Sequence, residues 1–153
     1  MSYEARLREL GIALPPAPRP VAAYVPAVKS GNLVYTSGQL PLVEGKLPFT
    51  GKVGAGVTLE QGKEAARIAV LNALAVVRET VGSLDRVTRV VKATVFVASA
   101  PGFNGQPQVA NGASELLQEV FGEAGRHARS AVGVAELPLD APVEVELVVE
   151  VAG

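Results

Sequence analysis

Arg129 is the side chain of this 153-residue sequence whose type and neighbours most suggest a ligand site. It lies in Ala128-Arg129-Ser130-Ala131-Val132-Gly133-Val134, a run that reads as a β-strand. Side chains alternate across a strand, so Arg129 shares a face with Ala131 and Gly133, whose small size leaves an opening above it. A guanidinium presents a planar fork of donors that matches a carboxylate bidentately. The competing reading is a structural arginine paired with Glu144 or Glu146 across neighbouring strands. Glu144 and Glu146 lie two apart, so both leave one face of their strand while Val143, Val145 and Leu147 fill the other. Glu150 continues that series, as a solvated face does. His127, two residues before Arg129, could line a pocket mouth, although a lone histidine more often serves structure than catalysis. On type alone Tyr24 reads as a core aromatic, Asn111 as a polar helix residue, and Thr36, Ser37 and Gly38 as strand-end packing. Gly51-Lys52-Val53-Gly54-Ala55-Gly56 suggests a phosphate loop only superficially. It lacks the GxxxxGK[ST] pattern and a preceding buried strand, so that reading is rejected.

Composition narrows the chemistry further. Without cysteine there is no disulfide, thiolate catalysis or Cys-based metal site, and one histidine argues against a His-rich one. Charges balance at 14 basic and 15 acidic residues, with no basic stripe, so nucleic-acid binding is disfavoured. No apolar run approaches the roughly 20 residues that span a bilayer, and Met1–Leu10 carries charges throughout. The expectation is a single cytoplasmic domain over 1–153, with an N-terminal helix and proline-rich arm over 1–20.

The elements that must position these residues follow from periodicity. Tyr3–Leu10 reads as a short amphipathic helix, and Leu14–Pro20 holds four of the eleven prolines and must be an extended arm. Tyr24–Val28 and Leu33–Gln39 are strand-like, joined by Ser30-Gly31-Asn32 as a tight turn. Gly45–Gly56 is a glycine-punctuated loop with room for a short edge strand. Thr58 and Gln61 have capping-box spacing at the head of an alanine-rich helix that Gly82 stops. Arg89–Val97 is nearly continuous in β-branched residues, as in a strand covered on both faces. Gln108–Phe121 is a second helix. Ala128–Val134 and Val143–Val151 are final strands, with a turn at Pro138-Leu139-Asp140. The order β-β-α-β-α-β-β gives an α+β fold, a mixed sheet with two helices on one face. Two helices about 10 Å wide cover roughly four strands spaced about 4.8 Å, on one side only. The opposite face is left bare in a monomer, which predicts self-association through it.

Ala128-Arg129-Ser130, then Leu137-Pro138 and Val143-Glu144-Val145-Glu146, resembles the C-terminal signature of the RidA/YjgF family. Tyr24-Val25, Gly31-Asn32 and Thr36-Ser37-Gly38-Gln39 are similar to that family's first hairpin, and Asn111 matches a third family position. The resemblance runs from about Val21 to Val151. The arm and the Gly45–Gly56 loop resemble a longer-chain branch, and Ala131 stands where many members have cysteine or serine. The resemblance implies a chorismate-mutase-like homotrimer with pockets at subunit interfaces and no cofactor. It implies hydrolysis of reactive 2-imino acids (2-iminopropanoate, 2-iminobutanoate) to 2-oxo acids and ammonia. Arg129 would bind the substrate carboxylate, and Glu144 would position and polarise the attacking water. Tyr24, Gly38 and Asn111 would line the pocket, Asn111 from the adjacent subunit. Thr36, Ser37, His127 and Ala131 are weaker candidates. Burial would raise the proton affinity of Glu144 and a nearby arginine would lower it.

Two other functions compete. A trimer that binds a 2-oxo acid without turnover, or stabilises a partner, fits Ala131 and the altered loop. Endoribonuclease activity, attributed to some relatives, is opposed by the lack of a basic stripe and of a second histidine.

Overall fold

The computed structural model describes residues 2–19 and 23–153. Their elements are α1 (Tyr3–Glu9), β1 (Ala27–Ser30), β2 (Leu33–Thr36), α2 (Leu59–Val81), β3 (Val87–Ala98), α3 (Gln106–Phe121), β4 (Ala128–Val134) and β5 (Val143–Val151). Pro20, at the end of the expected arm, and Val21, where the family resemblance begins, lie outside the described residues.

Local sequence explains most boundaries. The Thr58 hydroxyl accepts the Gln61 N–H at 3.1 Å and the Gln61 side chain accepts the Thr58 N–H at 3.0 Å, closing the expected capping box. Gly82 ends α2 at φ 94°, a conformation costly for any residue with a Cβ. α3 starts two residues earlier than expected, because Pro107 sits in its first turn, where no N–H is needed. The first strand is displaced the other way. Pro26 accepts from the Ser37 N–H but has no N–H to return, so pairing begins at Ala27 and Tyr24–Pro26 is not strand. Likewise β2 stops at Thr36, and Gln39 rejoins the sheet only through an isolated bridge to Val145. The expected edge strand in the Gly45–Gly56 loop is reduced to isolated bridges, from Lys46 to Val43 and from Val53 to Ser99 and Val57.

The five strands run in the order β1-β2-β5-β3-β4, with β3 and β4 parallel and the other pairs antiparallel. α3 is the crossover between the parallel pair. Both long helices lie on one face. β5 alternates strictly, burying Val143, Val145, Leu147, Val149 and Val151 beneath the helices. β3 carries register irregularities between Val87/Arg89 and Val90/Lys92, which let Val87, Val90 and Ala93, three apart, all point inward. Small residues allow tight layering: Ala65, Ala66, Ala69 and Ala73 of α2 are fully buried, and a Cβ on Gly112 of α3 would overlap the Lys63 carbonyl. Buried Asn72 donates to the carbonyls of Leu40 and Leu42, both at 3.0 Å, tying α2 to the chain that leaves β2.

Within one chain, β3 is covered on one face only, as the width of two helices led us to expect, and the double cover its sequence suggests would need a second copy. Both helices pack on the same side, so Thr94 and Phe96 are half-exposed on the other. That bare face also presents Val28 at 53% exposure, Tyr35 at 45% and Val132 at 43%.

α1 is fastened at the far end of α2. Glu4 pairs with Arg78 at 2.7 Å and accepts the Leu84 N–H at 2.8 Å, while Tyr3 meets Phe121 edge-to-face with centroids 4.7 Å apart.

Candidate functional site

The site residues fall into two groups, on opposite faces of the sheet. Arg129 lies opposite Ala93 in the parallel β3–β4 ladder, and Ala93 is fully buried beneath the helices. Arg129 therefore points to the helix side, at the edge of the sheet. There its Nη1 donates to Asn111 Oδ1 at 2.8 Å and to Ser114 Oγ at 3.2 Å. Asn111 and Ser114 stand three apart on α3 and so share one helix face. Two hydrogen bonds use both protons of Nη1. Nε and Nη2 have no hydrogen-bond or ion-pair partner among the described residues, so one edge of the fork is vacant. That edge is shaped for a carboxylate. Ala131 and Gly133 lie on the same side of β4; Ala131 packs against the core, and the side chains of Gln106 and Ser99 close over Gly133.

Glu144 belongs to the second group. It lies opposite Phe96, which also lies opposite Val132, so Glu144 shares the bare face with both. Gly38 crosses directly over its carboxylate, and a Cβ there would overlap the carboxylate itself. The crossing is fixed by the paired Gln39 N–H to Val145 carbonyl (2.8 Å) and Val145 N–H to Gln39 carbonyl (2.9 Å) hydrogen bonds. Burial raises the proton affinity of Glu144 above that of an ordinary carboxylate, and repulsion from Glu146 adds to the rise. No counter-ion opposes it among the described residues. Ser37 donates to the Val25 carbonyl at 2.6 Å, holding the Tyr24–Val25 segment against Gly38's neighbour. Tyr24 itself is 49% exposed.

These placements revise four sequence expectations. Arg129 does not pair with Glu144 or Glu146, because β3 separates β4 from β5 and the side chains leave opposite faces. Asn111 is held by Arg129 of its own chain, at 2.8 Å, and not across an interface. Tyr24 is not a core aromatic. Thr36 is buried on the helix side, where its hydroxyl accepts the Leu147 N–H at 3.0 Å, so it serves the sheet and lies away from Glu144. His127 is near Arg129 but tied inward, its Nε2 2.9 Å from Ser114 Oγ. Ser114 was missed altogether. Its spacing of three from Asn111 was the available signal. Among the described residues no group of three His, Cys, Asp or Glu side chains gathers to hold a metal ion, and no helix is long and apolar enough to cross a membrane.

Comparison with known proteins shows the family and the fold. The YjgF/chorismate-mutase-like family model, whose description also names an endoribonuclease, matches residues 4–151. The chain belongs to this family. Protein TCP17 of Trypanosoma cruzi is 50% identical over 95% of the chain and 92% of its own length. A 2-iminobutanoate/2-iminopropanoate deaminase of Dermatophagoides farinae is 36% identical over 90% of the chain and 93% of its own length. The crystal structure of Atu1372 from Agrobacterium tumefaciens, a protein of unknown function, superposes with a TM-score of 0.91 at 48% identity, covering 98% of this chain and 92% of that one. The mixed sheet with two long helices on one face is thus the YjgF/chorismate-mutase-like fold. Relatives in the family include deaminases of reactive intermediates.

Proposed function

We propose that the chain is a 2-imino acid deaminase whose active site is completed by a second copy of itself, in a homotrimer. The observation that carries this reading is the separation of Arg129 and Glu144. Each is equipped for one half of the reaction, and the sheet between them prevents both from serving one pocket in a single chain. The bare face, with Val28, Tyr35 and Val132 exposed, is suited to meet the β4 edge of a neighbour.

In that arrangement the vacant Nε/Nη2 edge of Arg129 grips the carboxylate of the 2-imino acid and fixes C2 beside the bare face of the next subunit. Glu144 there holds a water and draws on its proton as the oxygen bonds to C2. The proton passes to nitrogen. Glu144 then takes the hydroxyl proton of the tetrahedral adduct and passes it to nitrogen as the C–N bond breaks and C=O forms, releasing ammonia and leaving the 2-oxo acid. A carboxylate held beside the water can both take that proton and return it. Gly38 lies over Glu144, and with exposed Tyr24 it would line the pocket from that subunit.

The test generates 2-iminopropanoate with a dehydratase and follows its loss by semicarbazide trapping and by ammonia release. Hydrolysis faster than buffer, lost in Arg129→Ala and in Glu144→Gln, is expected. Absence of acceleration with every short 2-imino acid would sink the catalytic reading. Ala131 favours one alternative, a trimer that binds 2-oxo acids without turnover, and binding without acceleration would select it.

A further inference from the structure

Arg129 is useful only if its vacant edge points outward, and a guanidinium on a flexible stem does not hold one direction unaided. Asn111 supplies one anchor for Nη1. The other, the Ser114 hydroxyl, is ambiguous by itself: it rotates, and in a helix it can turn its proton to a backbone carbonyl one turn back. What the Ser114 proton does therefore decides whether Arg129 finds a fixed acceptor.

His127 settles that proton. Its Nδ1 is 2.7 Å from the Gly125 carbonyl, which can only accept, so Nδ1 carries the hydrogen. In the neutral ring Nε2 is then an acceptor, 2.9 Å from Ser114 Oγ. The hydroxyl donates to Nε2 and turns its lone pairs to Arg129 Nη1, 3.2 Å away. A chain of donors runs one way, from Arg129 through Ser114 and His127 to a backbone carbonyl. Its far end is rigid. Gly125 is buried, and a Cβ there would overlap the Leu117 carbonyl, so the turn carrying His127 is pressed onto α3. Ser114 is itself buried at 7% exposure.

We propose that His127 is a positioning residue, which never touches substrate but orients Ser114 so that Arg129 presents its carboxylate-binding edge. This rests on the deaminase or 2-oxo-acid-binding reading of the Arg129 site. Ser114 is the second member of the same device. The sequence offered His127 only as a residue at a pocket mouth. Its role is carried by hydrogen-bond direction.

The test compares wild type with His127→Leu, His127→Gln, Ser114→Ala and the His127→Leu/Ser114→Ala double variant. Each is assayed for KM and kcat with 2-iminopropanoate, for Kd with 2-oxobutanoate, and for Tm. His127→Leu should raise KM and Kd about tenfold, the worth of one hydrogen bond to a charged group, with kcat changed less than about threefold. Ser114→Ala should match it, and the double variant should be no worse than either, since both break one chain. His127→Gln, whose amide oxygen can accept in place of Nε2, should recover most of the loss. Unchanged Kd in His127→Leu, or additive losses in the double variant, overturns the proposal. The Arg129 Nη1–H resonance, identified by its absence in Arg129→Lys, is read in every variant without ligand. It should be sharp and shifted in wild type and move toward the free-arginine position in His127→Leu. If wild type neither binds nor turns over these acids, the functional reading fails, and this resonance still decides the positioning role: no change in it rejects that role.

Discussion

The two half-sites of this chain differ in how much of their work is finished. Around Arg129 one edge of the guanidinium is already held: Asn111, Ser114, His127 and the Gly125 carbonyl form a connected set of hydrogen bonds on α3 and the turn before β4. Around Glu144 nothing is finished. Two carboxylates stand two residues apart on a half-exposed face, burial raises the proton affinity of Glu144, and neither forms an ion pair among the described residues. The first half is a rigid receptor for one kind of anion. The second is an unsatisfied surface held in tension by its own charges. A guanidinium edge without an anion and a half-buried carboxylate without an ion-pair partner are complementary, which is the physical reason to expect them to meet between copies.

The strongest way to break this comparison is by mixing. Glu144→Gln should lower kcat by about 10²–10⁴-fold, the usual worth of a positioned acid–base group. Arg129→Ala should lower kcat/KM about a hundredfold, through loss of two charge-assisted hydrogen bonds worth about 1.5 kcal/mol each. Unfolding the two inactive variants together and refolding them in equal amounts should restore activity to about one quarter of wild type. In a closed ring, about one interface in four then pairs an intact Arg129 with an intact Glu144. Activity that stays at the level of the separate variants would falsify the shared site. Arg129→Lys sharpens the point, because an ammonium keeps the charge and loses the fork: KM should remain raised about tenfold or more.

A smaller effect isolates the Glu144 half. The atoms that a Cβ at Gly38 would strike are the flexible end of the Glu144 side chain, so Gly38→Ala leaves the backbone in place and swings the carboxylate away. A misplaced catalytic group costs about ten- to a hundredfold in kcat. Binding of 2-oxobutanoate, which depends on the Arg129 half, should change little. If Kd rises with the loss of kcat, the two halves are not separable in the way the structure suggests.

Much of this was legible from residue spacing. Period-two alternation put Glu144 and Glu146 on one face of β5 and grouped Arg129 with Ala131 and Gly133, and both groupings stand. The arithmetic of helix width against strand spacing anticipated the bare face. Strand order was not legible. Whether β4 lies beside β3 or β5 is decided by the α3 crossover, and that choice alone determines that Arg129 faces helices while Glu144 faces away. A sequence gives each strand's two faces but not which face of one strand matches which face of another. That Asn111 holds Arg129 of its own chain was not legible for the same reason. Ser114 was hidden because a serine in a helix has no distinctive pattern, and its value comes from the histidine thirteen residues later. Pro26 could have been read: a residue without an N–H should have delayed the first strand to Ala27.

The smallest expected effect tests the comparison through stability. Because Glu144 has a higher proton affinity folded than unfolded, its contribution is favourable when protonated and is lost as pH rises through the folded-state value. Glutamine does not titrate. In dissociated chains, Glu144→Gln should therefore be at least as stable as wild type near neutrality, by well under about 1 kcal/mol or a few degrees in Tm, with the advantage disappearing in acid. In the assembled protein the Arg129 edge of a neighbour supplies the missing cation, which lowers the proton affinity and reverses the sign. There the glutamine variant should be the less stable one near neutrality. Thermal melts across pH, at concentrations above and below dissociation, read both signs from one substitution. A Glu144 that behaves alike in both states has no arginine waiting for it, and the Arg129 edge must then find its anion without help from that face.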